Sequence, residues 1–344
     1  MNPDNLVKQV GLFVVIAGVI IAGAAAAGYS QPTQTPDYGQ EIPGQFEPGN
    51  IVVTPSAQEG DIEVQDGEEK VVLIDRSHQN QFSRGEIDMF VSTLVENGHT
   101  VQFYGGERQP GRNINESLRK ADAFVVMNPT TQFTSEEVAG IKSFADGGGR
   151  VLLMGDPSSI QISLFLLSTQ SIDHDPTDLG SQFGVSFGTG YLYNMEENAY
   201  NYQNVYAEPS TDSALTEGID RVILHDAAPV YTTQRGETLL TGLEGTRLSD
   251  SREPGNYAML VRNDNVTAIG DTSFLAPADA YDADNEVLIG NLAEFLVTGD
   301  KADCIPPKPE EGGDQPFGPA PPRPGEQPSQ PTTPTPTEDQ QQSC

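Results

Sequence analysis

Short apolar runs alternate with amphipathic stretches through the middle of the chain. Val71–Asp75 (VVLID) is a strand-like run that ends in polar residues. Ser83 and Glu86 then form a capping box, with Phe82 and Ile87 as its hydrophobic staple. Ile87, Phe90, Val91, Leu94 and Val95 recur at helical spacing, and Gly98 supplies a C-terminal stop. Thr100–Tyr104 is the next strand, and a short helix is expected around Ile114–Arg119. The design then repeats. Ala123–Met127 is a fully apolar strand, and Thr134 with Glu137 opens a second helix carrying Val138, Ile141, Phe144 and Ala145 on one face. Gly147–Gly149 end that helix, and Val151–Met154 is a strand. Buried strands joined by helices of this length predict right-handed βαβ units and a parallel sheet.

After Pro157 the pattern predicts a fourth helix over Ser158–Ser168. The second half is looser, with strands expected at Val185–Phe187, Val222–Leu224, Thr238–Thr241, Ala258–Val261 and Val266–Ile269. A last helix is expected over Asn285–Val297, with Asp284 or Asn285 as its N-cap.

The flanks read differently. Val10–Gly28 is an unbroken apolar run. Its nineteen residues would span roughly 28 Å as a helix, close to the hydrocarbon thickness of a bilayer. Lys8 precedes the run and only acids follow it until Lys70, so residues 1–9 are expected in the cytoplasm and the rest outside. A retained single-pass membrane anchor is the reading adopted; Ala24–Ala27 leave a cleaved signal peptide as the alternative. Residues 29–69 form an acidic stalk, 70–299 the folded domain, and 300–344 a proline-rich disordered tail. Cys304 and Cys344 are the sequence's two cysteines; pairing, free thiols and cross-linking of two chains all stay open.

Charge narrows the functional classes. The chain of 344 residues has 18 Lys+Arg against 50 Asp+Glu, a net charge of -32. Such a field repels phosphate backbones, so no nucleic-acid partner is expected. The folded segment 70–300 carries -19 of this charge, and Arg outnumbers Lys twelve to six along the chain. An acidic, Lys-poor surface suits high salt, where self-repulsion is screened, and points to a halophilic archaeal source.

Val71–His78, Ala121–Pro129, Gly149–Asp156 and the closing Gly270–Phe274 with Asp284-Asn285 resemble the domain of unknown function 4350 family. That family is similar to the glutamine-amidotransferase-like domains of gliding-motility and intraflagellar-transport proteins. The resemblance covers roughly residues 70–299. It implies a flavodoxin-like α/β sandwich with a mostly parallel sheet, and a non-enzymatic role in binding a ligand or protein.

The residues agree that amidotransferase chemistry is missing. That chemistry needs a cysteine on a strand–helix turn, and residues 1–303 contain none. No phosphate loop, zinc-protease or serine-elbow motif is present, and no cofactor is expected. Polar residues instead gather after the strands, where parallel sheets carry ligands. Asp75, Ser77, His78 and Asn80 follow the first, Asn128 and Thr130 the third, Asp156, Ser158 and Ser159 the fourth, and Asp271 and Ser273 a late one. His78 and Asn128 are expected to face one crevice suited to a polar or anionic ligand, with Arg76 and Arg84 assisting. These residues also suit caps and Asx turns. A cation held by Asp75, Asp156 and Asp271 is a lesser alternative, as is a hydrolase using His78 with Asp75 or Asp156.

Asp173-His174-Asp175 resembles a metal clip on an acid-rich loop, and Asp282-Ala-Asp284-Asn285 begins like a calcium loop without completing one. His99 and His225 read as structural. Tyr191, Tyr193, Tyr200, Tyr202 and Tyr206, interleaved with asparagines, suit a partner-binding loop or a cover for the sheet edge. Asn115 and Asn265 head glycosylation sequons. Envelope or transport proteins are the expected partners.

Overall fold

The structure is a computed structural model that describes residues 62, 64, 67–105, 113–163, 168–174 and 176–308. The chain divides into two units, Met1–Thr54 and Pro55–Cys344, and every described residue lies in the second. The apolar run 10–28 and most of the stalk fall outside the described residues, as does the tail from 309 onward. Among the described residues no helix is long and apolar enough to cross a membrane.

The strands are, in chain order, β1 (Val71–Asp75), β2 (Thr100–Tyr104), β3 (Ala123–Met127), β4 (Arg150–Met154), β5 (Asp156–Ser163), β6 (Ser168–His174), β7 (Val185–Phe187) and β8 (Leu192–Tyr193). They continue as β9 (Asn204–Pro209), β10 (Val222–His225), β11 (Val230–Thr232), β12 (Glu237–Gly242), β13 (Arg247–Leu248), β14 (Ala258–Asn263) and β15 (Val266–Ile269). The α-helices are α1 (Asp88–Glu96), α2 (Ile114–Leu118), α3 (Ser135–Asp146), α4 (Thr177–Gly180) and α5 (Asn285–Val297).

Nine strands form one sheet in the order β2-β1-β3-β4-β15-β14-β12-β9-β10. The pairs from β2 to β15 are all parallel, and the pairs from β15 to β10 are antiparallel. The parallel half has the 2-1-3-4-5 order of flavodoxin-like folds, with β15 as its fifth strand. The strand pattern explains the layers. Along β3, Ala123, Val125 and Met127 enter one core, whereas Phe124 and Val126 enter the other. The first core lies under α1 and α5, with Phe90, Leu94, Leu288 and Leu292 fully buried. The second lies under α2 and α3, with Leu118, Ile141 and Phe144 fully buried.

The second capping box forms as expected: Thr134 Oγ1 accepts from Glu137 N, and Glu137 Oε2 accepts from Thr134 N. The first closes one turn early. Ser83 and Glu86 bond each other, but α1 starts at Asp88 and its N-cap Ile87 has no side-chain bond. Asp284 is the N-cap residue of α5, yet its carboxylate accepts from Asp220 N and Arg221 N, both at 2.8 Å. It ties the helix start to the loop before β10.

The expected helix over 158–168 is overturned. Asp156–Ser163 is β5, paired antiparallel with β6. The sequence Ser159-Ile-Gln-Ile-Ser163 alternates with period two and carries β-branched residues, which favours an extended strand over a helix. The tail's start is also ordered. Lys301 Nζ donates to the carbonyls of Leu118 and Arg119, Arg119 Nη1 donates to Pro306 O, and Pro306 is buried. Cys304 is disulfide-bonded.

Candidate functional site

Polar residues collect at the C-terminal ends of the parallel strands, and the structure sorts them into two groups. The first surrounds His78. Asp75 ends β1 fully buried, and its Oδ2 lies 2.8 Å from His78 Nδ1. Ser77 donates through N and Oγ to Asp75 Oδ1. On the far side of the imidazole, Nε2 lies 3.5 Å from Glu137 Oε2, and the ring stacks on Phe133 at 3.7 Å. Burial alone would lower the His78 pKa, but the bond to Asp75 and the charges of Asp75 and Glu137 outweigh it and raise the value. Asn80 accepts from His78 N and donates to Met127 O, so it fastens this loop to the end of β3. Thr130 N in turn donates to His78 O.

The second group is centred on Asn128. Its φ of 44° puts it in the left-handed region, at the strand–helix turn where α/β hydrolytic folds carry a nucleophile. Here the side chain is a bracket. Asn128 Oδ1 accepts from Asp156 N at 2.8 Å, and Nδ2 donates to Asp156 Oδ2 and to Thr272 Oγ1. Thr272 N donates to Asp156 Oδ1 at 2.8 Å. One strand further on, the buried Asp271 accepts from His225 N, Ser273 N and Ser273 Oγ. Gly270 before it is required, because a Cβ there would lie 1.9 Å from Ala228 O.

Two carboxyls, the buried Asp271 and the partly exposed Asp156, therefore act on each other. Burial raises the Asp156 pKa, against the bonds from Thr272 and Asn128. Burial, then the charge of Asp156, pushes Asp271 up to about 7. Such a carboxyl both donates and accepts protons near neutral pH. The pair opens onto a crevice of about 500 Å³ whose other walls include Ser158, Ser159, His174, Tyr191, Gln203 and Asp226. Ser159 Oγ lies 2.6 Å from His174 Nε2, which joins the start of β5 to the end of β6.

Several expectations change here. Asn128, Asp156, Asp271, Ser158, Ser159 and Ser273 line the crevice; Asp75, Ser77, His78 and Asn80 do not. His78 and Asn128 thus do not share it, because the imidazole turns towards α3 and the Asn128 amide towards the start of β5 and Thr272. Both ring nitrogens of His78 face carboxylates, which leaves no nitrogen placed as a base towards the crevice. Arg76 lies over Phe82 and Phe103, and Arg84 over Phe103. Among the described residues no Lys or Arg lines the crevice, so its described walls do not suit an anionic ligand.

The tyrosines also divide. Tyr191, Tyr193 and Tyr202 form a chain of ring contacts at 6.2 Å steps, and Tyr200 is 75% exposed. Tyr206 belongs to β9 instead and lies under Arg221. Asn194 is buried and accepts from Glu196 N and Glu197 N, so it scaffolds the loop. Asn115 is buried against Gly140, and the Asn265 amide donates to Ala145 O, so neither sequon presents a free amide. His99 is buried and accepts from Lys70 N, in keeping with a structural part. Of the Asp173–Asp175 clip, only His174 has a described side chain.

Sequence reasoning missed Thr272, His225 and Asp226. The run Gly270-Asp271-Thr272-Ser273 carried a signal, an Asx turn directly after a buried strand. His225, Asp279 and Asp282 place one ligand atom each within 4.8 Å of one another, a grouping able to take a divalent cation. Asp75, Asp156 and Asp271 do not form such a group among the described residues.

No family model matches the chain, and no curated protein matches it. The fold is similar to the mmIFT52 N-terminal domain, with a TM-score of 0.52 and 14% identity over 67% of this chain and 99% of that one. Looser likenesses are to the cytoplasmic protein STM1381 from Salmonella typhimurium LT2 (TM-score 0.43, 14% identity, 66% and 99% covered). A ThuA-like protein from Parabacteroides merdae ATCC 43184 is similar at TM-score 0.39 and 12% identity, over 70% and 93%. The expected α/β architecture with a large, substantially parallel central sheet stands, and its fold is similar to that of the mmIFT52 N-terminal domain.

Proposed function

We propose that residues 70–299 form a non-enzymatic binding module that takes a neutral or cationic ligand, rich in hydroxyl or amine donors, in the strand-end crevice. The observation that carries this reading is Asn128. The turn that would present a nucleophile holds an amide engaged on both sides by Asp156 and Thr272. The crevice beside it offers carboxylates, hydroxyls and the Tyr191 ring, with no Lys or Arg among its described lining residues. Donor-rich ligands satisfy such acceptors, and aromatic walls add apolar contact.

On this reading the module is carried outside the cell by the apolar run 10–28, as an accessory part of an envelope or transport complex. The Lys8 bias and the disulfide at Cys304, which suits an oxidising compartment, support that placement. Calorimetric titration of the full chain with spermidine and with maltose tests the ligand class. Saturable binding of either that weakens at least tenfold in Gln203→Ala and Ser273→Ala is expected. Absence of binding by both, or binding indifferent to these substitutions, would overturn it. Co-purification from native membranes tests the accessory role, with a stable envelope or transport partner expected and recovery of the chain alone counting against it.

A further inference from the structure

The opposite ends of the strands carry the reverse charge. Arg150 opens β4, Arg262 lies near the end of β14, and the Asp264-Asn265 turn joins β14 to β15 between them. With Lys142 of α3 and Arg235 of the β11–β12 turn, they border a cleft of about 1120 Å³. The chain as a whole has 18 bases against 50 acids, yet this cleft has four bases against Asp146 and Asp264. Lys142 is held by Asp146 at 3.0 Å. Among the described residues no carboxylate forms an ion pair with Arg150, Arg235 or Arg262.

A structural account covers part of this. The guanidiniums of Arg150 and Arg262 lie 5.0 and 5.4 Å from the centroid of one ring, Phe295, near the C-terminus of α5. Ring stacking and the helix's terminal carbonyls favour cations there. That explains where the two groups sit, but not their unused donors. An arginine has five N–H donors. Arg150 gives one bond to Asn265 Oδ1, at 2.8 Å, and its Nε is buried without an acceptor. Arg262 gives one bond, to Asp264 O at 2.9 Å. Arg235 makes none. Burial, then the charge of Arg262, lowers the Arg150 pKa, so the two cations oppose each other. In a chain so rich in carboxylates, neutralising partners were the easiest residues to supply.

We propose that this cleft is an anion site for a ligand bearing at least two phosphate or carboxylate groups. Guanidinium forks bind such oxyanions through paired, charge-assisted hydrogen bonds. The volume exceeds that of most small-molecule pockets, about 300–1,000 Å³, so it fits a multiply charged ligand better than a single inorganic ion. The chain's net charge of -32 repels anions at long range, so binding must come from these short contacts.

Calorimetric titration of the full chain with tripolyphosphate and with citrate tests this and separates a phosphate from a carboxylate source. Saturable binding of at least one is expected, weakened at least tenfold by Arg262→Gln and by Arg235→Gln. Arg221→Gln, which breaks the remote pair with Glu208, should leave the affinity unchanged. Circular dichroism melts check folding. Arg235 has no partner to lose, so Arg235→Gln should melt like the parent even if Arg262→Gln does not. No saturable heat with either anion, or parental affinity in Arg235→Gln, would overturn the proposal.

Discussion

Asp75 ends β1 and Asp271 follows β15, strands of one sheet with β3 and β4 between them, and both are buried, but their surroundings differ. Asp75 faces a histidine whose second nitrogen faces Glu137, and Phe133 closes the ring off. Its charge is compensated and sealed in. Asp271 faces backbone N–H groups, a serine and a second aspartate, and it opens onto the crevice. The first arrangement holds a loop to α3. The second is electrostatically unrelieved, which is how ligand sites differ from braces. Residue type alone does not separate the two; the partners do.

The largest effect expected from breaking this contrast is at the brace. His78→Ala leaves Asp75 as a buried charge without its counter-ion, a loss of about 3–5 kcal/mol. Urea unfolding at pH 6 measures it, and crevice binding in the surviving folded fraction should be unchanged. The pH sense follows from the raised His78 value. The ion pair's contribution is full below the unfolded pKa of about 6.5 and is lost as pH rises through the higher folded value. A His78→Ala protein as stable as the parent would show that the histidine is no brace.

At the crevice the sign is the same but the window lies lower. Asp271 is pushed from 3.8 to about 7, so its protonated form favours the fold. That contribution is full below 3.8 and is lost as pH rises through about 7. The stability of the parent relative to Asp271→Asn should therefore fall between those values, by up to about 1.4 kcal/mol per pH unit. Denaturant midpoints from pH 4 to 8 give the slope. A flat difference would mean that Asp271 stays ionised and that the crevice is no more strained than the brace.

Asn128 belongs to the crevice group, and its substitution separates conformation from bonding. Asn128→Ala loses the bracket on Asp156 and the local polar bonding that makes asparagine tolerant of this left-handed φ, at a combined cost of about 2–3 kcal/mol. Asn128→Gly restores the backbone freedom and should recover roughly 1 kcal/mol of that. Equal losses in the two variants would assign the whole effect to the hydrogen bonds.

The parallel half of this fold was legible because β1 and β3 are apolar runs, each followed by an amphipathic helix with a capping-box sequence before it. Asp75, Asn128, Asp156 and Asp271 were legible as strand-end residues for the same reason. Their grouping was not. It depends on which way His78 turns, and that is decided by Phe133 and Glu137, more than 50 residues later. His225 and Gln203 reach the crevice through antiparallel strands that return late in the chain, a non-local pairing that a local pattern does not carry. The β5–β6 hairpin was misread because a short run with apolar residues after a proline fits a helix start as well as a strand.

The smallest expected effect tests how far the brace extends. Glu137 has two parts: its Oε2 accepts from Thr134 N and Oγ1, closing the helix cap, and the same oxygen faces His78 Nε2 at 3.5 Å. Glu137→Gln keeps an oxygen for the cap and removes the charge. Stability should therefore fall by less than about 1 kcal/mol, the range for a partly exposed ion pair. The His78 titration midpoint, followed by NMR on the imidazole Hε1, should drop while staying above that of an unpaired buried histidine, because Asp75 is still in place at 2.8 Å. An unmoved midpoint would confine the brace to Asp75 and leave Glu137 as a helix cap alone. A midpoint that falls below the ordinary histidine value would instead make Glu137 the residue that keeps His78 charged, and Asp75 would then be the weaker partner in spite of its shorter contact.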